Sequence, residues 1–235
     1  MRPITVTVAI LAAALSVGAT KPAATKPAAS RPTANWGATV AVTPAGTHII
    51  GNPAAQVKIT EFLSYTCSHC ADFHKESEGP LRVAYVPGGK VSVEVQHLIR
   101  DPVDLSAAML ASCAGPAKFY RVHNAILQKQ ATWIGLMGQA TSVQKQRWST
   151  GPVPQRLQAI AGDFGFYKIM ESAGFNRVAS NRCLADEATA KRLLDQTDAA
   201  LKAGVSGTPS FMLNGQLLGD THDWKTLEAE IRKQI

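Results

Sequence analysis

Between residues 57 and 62, side chains alternate in character, with Val57, Ile59 and Glu61 on one side. A period of two is the pattern of a β-strand. It returns in Val91, Val93 and Val95, interleaved with Ser92, Glu94 and Gln96, which predicts a second strand. Between the two, a helix is expected from the Cys67 region to about Glu78, stopped by Gly79-Pro80. From Asp104 the period lengthens. Phe119, Val122, Ile126 and Leu127 share one helical face. Lys191 to Leu201 reads as another helix, with Leu193, Leu194, Thr197 and Leu201 in register and Gly204 at its C-terminal cap. Residues 131–175 are less regular: Gly151, Pro152 and Pro154 break the pattern, while Phe164, Phe166 and Tyr167 mark packed helical turns. The chain then returns to sheet. Ser210–Leu213, Asn214-Gly215 and Gln216–Leu218 read as a hairpin with an Asn-Gly turn. A last helix carries Trp224, Leu227 and Ile231 on one face, with Asp220 or Thr221 as its cap. Strand, helix, strand, long helical stretch, hairpin and helix make an α/β chain.

Before this, order is expected to begin near Trp36 to Val42, with a turn at Gly51-Asn52-Pro53. The first residues differ in kind. Arg2 precedes an uncharged apolar run from Ile4 to Val17, and Val17-Gly18-Ala19 offers small residues for cleavage after Ala19. This reads as an export signal over 1–19; its Thr, Ser and Gly content makes it a poor membrane span. Residues 20–35 contain Thr-Lys-Pro-Ala-Ala twice and almost no bulky apolar side chain, so they read as a disordered Pro/Ala-rich linker. No heptad is present there, and a monomer is expected. The formal net charge of +7 arises from 24 basic and 17 acidic residues. Four of the basic residues, Arg2, Lys21, Lys26 and Arg31, fall in these N-terminal segments. The remainder is nearly balanced and lacks the basic stripe that nucleic-acid binding relies on.

Export bears on the four cysteines, Cys67, Cys70, Cys113 and Cys183, because disulfides persist outside the cytosol. Cys67-Ser68-His69-Cys70 stands at the junction of a strand and a helix, the thioredoxin-type redox arrangement. There the helix dipole and unpaired N–H groups favour a thiolate, and a charged His69 adds to that. Cys67 is expected to be an exposed nucleophile with a lowered pKa, and Cys70 a more buried resolving thiol. Two other uses of the pair are weaker. A zinc site from Cys67, Cys70 and His74 has no second C-x-x-C to complete it. A purely structural bridge across two residues removes little chain entropy. Glu61, on the apolar face of its strand, should have a raised pKa and suits proton transfer with Cys70. Pairing with Lys58 or water is the plainer alternative. His48, His97, His123 and His222 are scattered in sequence and read as surface or structural histidines. Trp133, Trp148 and Trp224 read as core or rim; Ile134, Leu136 and Met137 read as core at helical spacing, with an apolar patch for client chains as the alternative.

Glu61-Phe-Leu-Ser-Tyr-Thr-Cys-Ser-His-Cys70, with Gly51-Asn52-Pro53 ahead of it, resembles the active-site segment of the DsbA family of thiol:disulfide oxidoreductases. Val205-Ser-Gly-Thr-Pro-Ser-Phe211 resembles that family's cis-proline loop. The resemblance implies a thioredoxin fold with an inserted α-helical domain: thioredoxin domain over 36–100, helical insert over 101–203, thioredoxin domain again over 204–235. It implies Cys67 as nucleophile, Cys70 as resolving thiol, Ser68, His69 and Glu61 as tuning residues, and Thr208-Pro209 as a cis pair beside the client peptide. It also implies a structural disulfide between Cys113 and Cys183, with two buried, unpaired thiols as the alternative; no metal and no bound organic cofactor are expected. The expected partners are exported client proteins and a membrane thiol redox partner, in the periplasm. Ser-His replaces the Pro-His of the best-known oxidases, and Thr208 replaces a valine. Oxidase is the first expectation; isomerase or reductase and a non-catalytic peptide-binding holdase are the alternatives.

Overall fold

The computed structural model describes residues 35–235. The expected signal peptide, and all of the expected linker except Asn35, lie outside the described residues. In chain order the elements begin with a 3₁₀ turn at Trp36–Ala38, then β1 (Val40–Val42), β2 (His48–Gly51), β3 (Val57–Leu63), α1 (Ser68–Pro80) and β4 (Val91–His97). Nine helices follow: α2 (Pro102–Cys113), α3 (Pro116–Gln128), α4 (Gln130–Trp133), α5 (Leu136–Gln139), α6 (Ser142–Ser149), α7 (Val153–Asp163), α8 (Phe166–Ser172), α9 (Arg177–Leu184) and α10 (Glu187–Lys202). The hairpin β5 (Ser210–Leu213) and β6 (Gln216–Leu218) and the helix α11 (Trp224–Arg232) close the chain.

The six strands form one sheet in the order β1-β2-β4-β3-β5-β6. β3 and β4 run parallel, with Val57 opposite Val91, Ile59 opposite Val93 and Glu61 opposite Val95. The other neighbours are antiparallel. Asn214 and Gly215 both take positive φ, 51° and 83°, as a two-residue hairpin turn requires. One sheet face buries Val57, Ile59, Val91, Val93, Phe211 and Leu213 against Phe73 of α1 and Trp224, Leu227 and Ile231 of α11. On the other face Phe62 packs with Ala200 of α10 and Val205. The inserted helices bury a second and larger core around Leu110, Phe119, Ile126, Leu127, Ile160, Phe166 and Met170. Trp133 is buried with them and Trp148 packs against them. Together these elements are a thioredoxin fold with an inserted helical domain.

Several local expectations need correction. β2 was not anticipated; it is short, and it ends at Gly51, whose φ of 101° and close approach to the Val86 side chain exclude a larger residue. The first helix does not stop at Gly79-Pro80. Gly79 lacks the Cβ that would clash with the proline ring, Pro80 keeps helical angles of φ −56° and ψ −47°, and a π-helical turn continues over Leu81–Tyr85. Its Val86 N–H donates to the Leu81 carbonyl at 2.8 Å. On α10, Leu194 and Leu201 are 48% and 54% exposed. The buried face uses Leu193, Gln196 and Ala200 instead. Gln196 is tolerated there because its Oε1 accepts from the His97 N–H and its Nε2 donates to the Ala45 carbonyl. Asp223, not Asp220 or Thr221, caps α11, its side chain accepting from the Thr226 N–H. Leu136 is 37% exposed and sits at the rim rather than in the core.

Candidate active site

The segment from Leu63 to Cys67 leaves the end of β3 and turns into α1. Its polar groups are held almost entirely by the inserted helices. Ser64 Oγ donates to Asp104 Oδ2 at 2.6 Å, and the Tyr65 N–H donates to Asp104 Oδ1 at 2.8 Å. Thr66 Oγ1 donates to Asp101 Oδ2 at 2.7 Å. Asp101 is also the N-cap of α2, accepting from the N–H groups of Val103 and Asp104. Gln130 Nε2 donates to the carbonyls of both Tyr65 and Cys67, each at 2.7 Å. Burial pushes the Asp104 carboxyl up to about 7, against the pull of its hydrogen bonds from Ser64, Tyr65 and Arg100.

Cys67 occupies the N-cap position of α1 in extended conformation, and no side chain caps the helix there. Its thiol therefore faces the unsatisfied N–H groups of the first turn. The residue is only 4% exposed, not exposed as expected. The loop before β5 lies against it, with Cys67 Sγ 3.2 Å from the Thr208 carbonyl. There the thiol donates to a carbonyl, a bond that only the protonated form can make. A hydrogen bond from the Cys70 thiol is the main cause that brings Cys67 down to about 5, with the Thr208 side chain and the N–H groups of Cys70 and His69 adding and burial opposing. Cys70, one turn into the helix, is fully buried, and burial first, then its bond to Cys67, pushes it well above its ordinary range. Both thiols are free. Ser68 and His69 between them are exposed. Thr208-Pro209 is a cis peptide, and it lies beside Cys67 as the resemblance implied.

Glu61 lies behind this turn. It is 4% exposed, and its Oε1 has no hydrogen-bond partner. Burial raises its carboxyl to about 8 from an ordinary 4.5. Among the described residues neither Lys58 nor another protein group pairs with that oxygen. The native state keeps the Glu61 proton up to about pH 8, while the unfolded chain releases it near pH 4.5. Wild-type stability is therefore drawn down as pH rises through that window. Glu61→Gln is expected to resist urea better than wild type at pH 7, by on the order of 3 kcal/mol, with the gain vanishing by pH 4. Urea melts at the two pH values measure this directly.

The histidines, scattered in sequence, are gathered by the fold. His48, His74, His97 and His123 are all buried. His48 stacks on Phe119 with ring centroids 3.6 Å apart. His123 Nδ1 bonds the Tyr65 hydroxyl at 2.9 Å, and His74 Nε2 bonds Asn124 Oδ1 at 2.7 Å. Burial lowers all four imidazoles, His48 to about 4 and His97 to about 3. His222 belongs to the site rather than to this cluster. Its Nδ1 lies 2.9 Å from the Pro209 carbonyl. A carbonyl can only accept, so Nδ1 carries the proton. A cleft of about 430 Å³ is lined by His222, His69, Phe73 and residues 206–209.

Among the described residues no three His, Cys, Asp or Glu side chains come together as a metal site, so Cys67, Cys70 and His74 do not form one. Cys113 and Cys183 are joined by a disulfide across a sequence separation of 70. Sequence reasoning missed Asp101, Asp104, Gln130 and His222. Asp101-Pro102 carries the signature of a helix start; nothing in sequence singles out Gln130.

The sequence profile of the thioredoxin family matches residues 43–233. A Rickettsia typhi protein named as a candidate protein-disulfide oxidoreductase is 28% identical over 71% of this chain, and the chain spans 54% of that relative's length. A solved structure titled protein-disulfide isomerase, from Novosphingobium aromaticivorans, is 46% identical with a TM-score of 0.76, covering 80% of this chain and 96% of its own. Wolbachia pipientis α-DsbA1, 20% identical with a TM-score of 0.63 and coverages of 79% and 89%, shares the fold. The chain thus belongs to the thioredoxin family, and its fold carries a helical insertion.

Proposed function

We propose that this protein is a thiol:disulfide oxidoreductase that exchanges disulfides with exported proteins, acting chiefly as a dithiol oxidase. The observation that carries the reading is the unequal pair at the start of α1: Cys67 at the N-cap beside the Cys70 thiol and the first-turn N–H groups, which draw its thiol down, and Cys70 one turn in and fully buried, which pushes its thiol well above the ordinary range. A stabilised Cys67 thiolate favours the reduced pair, so the oxidised pair readily takes electrons. In the cycle, a client thiolate attacks Cys67 Sγ of the Cys67–Cys70 disulfide. The client–Cys67 bond forms, and the Cys67–Cys70 bond breaks with Cys70 leaving as thiolate. Cys70 is then protonated, with Glu61 placed to supply the proton. A second client thiolate attacks the client sulfur of the mixed disulfide and releases Cys67 as a thiolate. The client is oxidised by two electrons and the pair is reduced by two. A membrane thiol partner then reoxidises the pair. Thr208 and Pro209 line the surface on which an extended client segment docks.

The apolar N-terminal segment and the Cys113–Cys183 disulfide support a periplasmic setting. The protein acts as a monomer, with no bound cofactor and no nucleic-acid role. A second reading, disulfide isomerase or reductase, is favoured by the name of the 46% identical relative and by Thr208. Equilibration with glutathione separates the two. In a buffer poised at about −180 mV the pair is expected to be mostly reduced. A pair that stays oxidised there contradicts the oxidase reading.

A further inference from the structure

The redox turn carries one contact whose consequence reaches beyond packing. Gln130 is 3% exposed and stands at the start of α4, in the inserted helices. Its side-chain nitrogen lies 2.7 Å from two backbone carbonyls, those of Tyr65 and Cys67. Carbonyl oxygens only accept, so the amide must present its NH₂ group to them, and an NH₂ has two hydrogens. Both are used, one on each side of the residue that precedes the nucleophile. The Cys67 carbonyl also accepts the first helical bond of α1, from the Ala71 N–H at 3.3 Å. The orientation of the peptide that follows Cys67 is thus fixed from two directions. The N–H groups of the first turn point away from their carbonyls, toward the side where the thiol sits. The donors to the sulfur are the His69 and Cys70 N–H groups one and two peptides further on, so rotating the peptide at the head of the turn would displace the turn that carries them.

We propose that Gln130 is a positioning residue for disulfide exchange: through its paired bonds to the Tyr65 and Cys67 carbonyls it holds the first turn of α1 in the orientation that presents backbone N–H groups to Cys67 Sγ, and so sets the reactivity of that sulfur from the helical insert. The inference rests on Cys67 being the exchanging thiol, as proposed above. Other groups around the sulfur do not replace this contact. Asp101 and Asp104 hold the hydroxyls of Ser64 and Thr66 and the Tyr65 N–H, but neither reaches a carbonyl of the turn. Glu61 is buried and protonated at neutral pH, and His69 is exposed. Among the described residues, no other side chain donates to the Cys67 carbonyl.

Gln130→Met keeps the length of the side chain and removes both donors. In wild type, the rate of Cys67 alkylation by iodoacetamide against pH is expected to rise with a midpoint near pH 5. In the variant that midpoint should move up by about one unit. The equilibrium with glutathione should shift about tenfold toward the oxidised pair, about 30 mV for this two-electron couple. Gln130→Asn, one methylene shorter, can reach only one carbonyl and should give an intermediate shift in both measurements. A folded Gln130→Met with wild-type midpoint and potential overturns the proposal, even if its melting temperature is lower, because a purely structural role moves stability alone. If the Met variant does not fold, the wild-type protein still decides: side-chain amide protons of Gln130 must be protected from exchange and must change NMR frequency between the oxidised and reduced states. Solvent-like exchange of those protons overturns the inference. A wild-type Cys67 that resists alkylation at pH 6 instead overturns the oxidoreductase reading itself, so the two failures are distinguishable.

Discussion

Cys67→Ser is expected to abolish catalysed disulfide exchange, down to the uncatalysed background. Serine is isosteric enough to preserve the N-cap, and serine is in fact a better cap than cysteine, so the fold should be retained or slightly stabilised. The loss would be chemical. A hydroxyl neither ionises near pH 5 nor forms a mixed disulfide, whereas the Cys67 thiol is drawn down to about 5 by its bond from Cys70, with further help from Thr208 and the first-turn N–H groups. Cys70 offers no substitute, since it is fully buried and its thiol is pushed well above the ordinary range. The check is the rate at which a reduced, unfolded client regains its disulfides with oxidised protein present. A variant that still protects clients from aggregation but transfers no disulfide is consistent with exchange chemistry plus peptide binding. A variant that transfers disulfides at the wild-type rate rules out Cys67 as nucleophile, and a wild-type protein that transfers no disulfide while protecting clients as well as the variant does identifies a holdase.

The second large effect concerns stability. The Cys113–Cys183 bridge joins the end of α2 to α9 and closes a separation of 70 residues. Loop-closure entropy in the unfolded chain then corresponds to about 4 kcal/mol of stabilisation. Replacing both cysteines with alanine is expected to lower the urea unfolding free energy by about that amount and the melting temperature by roughly 10 °C. Cys67 should keep its low-pH alkylation profile, because neither bridge cysteine is among the groups that lower it. Loss of less than about 1 kcal/mol in the double variant would mean that the bridge contributes no significant loop constraint.

How much of this was legible beforehand follows a physical division. The strands β3 and β4, the Asn214-Gly215 turn and the helix bearing Phe119 and Ile126 were readable because each is a local pattern: alternation, positive-φ residues, or a 3.6-residue apolar stripe. The Cys67–Cys70 pair and Thr208-Pro209 were readable as short motifs. What escaped depends on distant partners. Gln196 lies on the buried face of α10 only because the His97 N–H gives it a partner. His48, His97 and His123 looked unrelated because no sequence spacing shows that their strands and helix converge. Gln130 is one glutamine among several. Leu194 and Leu201 misled for the opposite reason, since apolar character alone does not decide which stripe of a helix faces inward. The burial of Cys67 beneath residue 208 also has no local signature, because it joins positions 141 apart.

That dependence has a temporal side. Ser64 is held by a residue 40 positions later, Tyr65 by one 65 positions later, and Cys67 meets Thr208 only when nearly the whole chain is available. Under the export proposed above, a chain threaded outward from its N-terminus presents Cys67 and Cys70 to an oxidising compartment before Thr208 has emerged. During that interval they are ordinary thiols, and on the proposed function the nascent protein is a client of its finished copies.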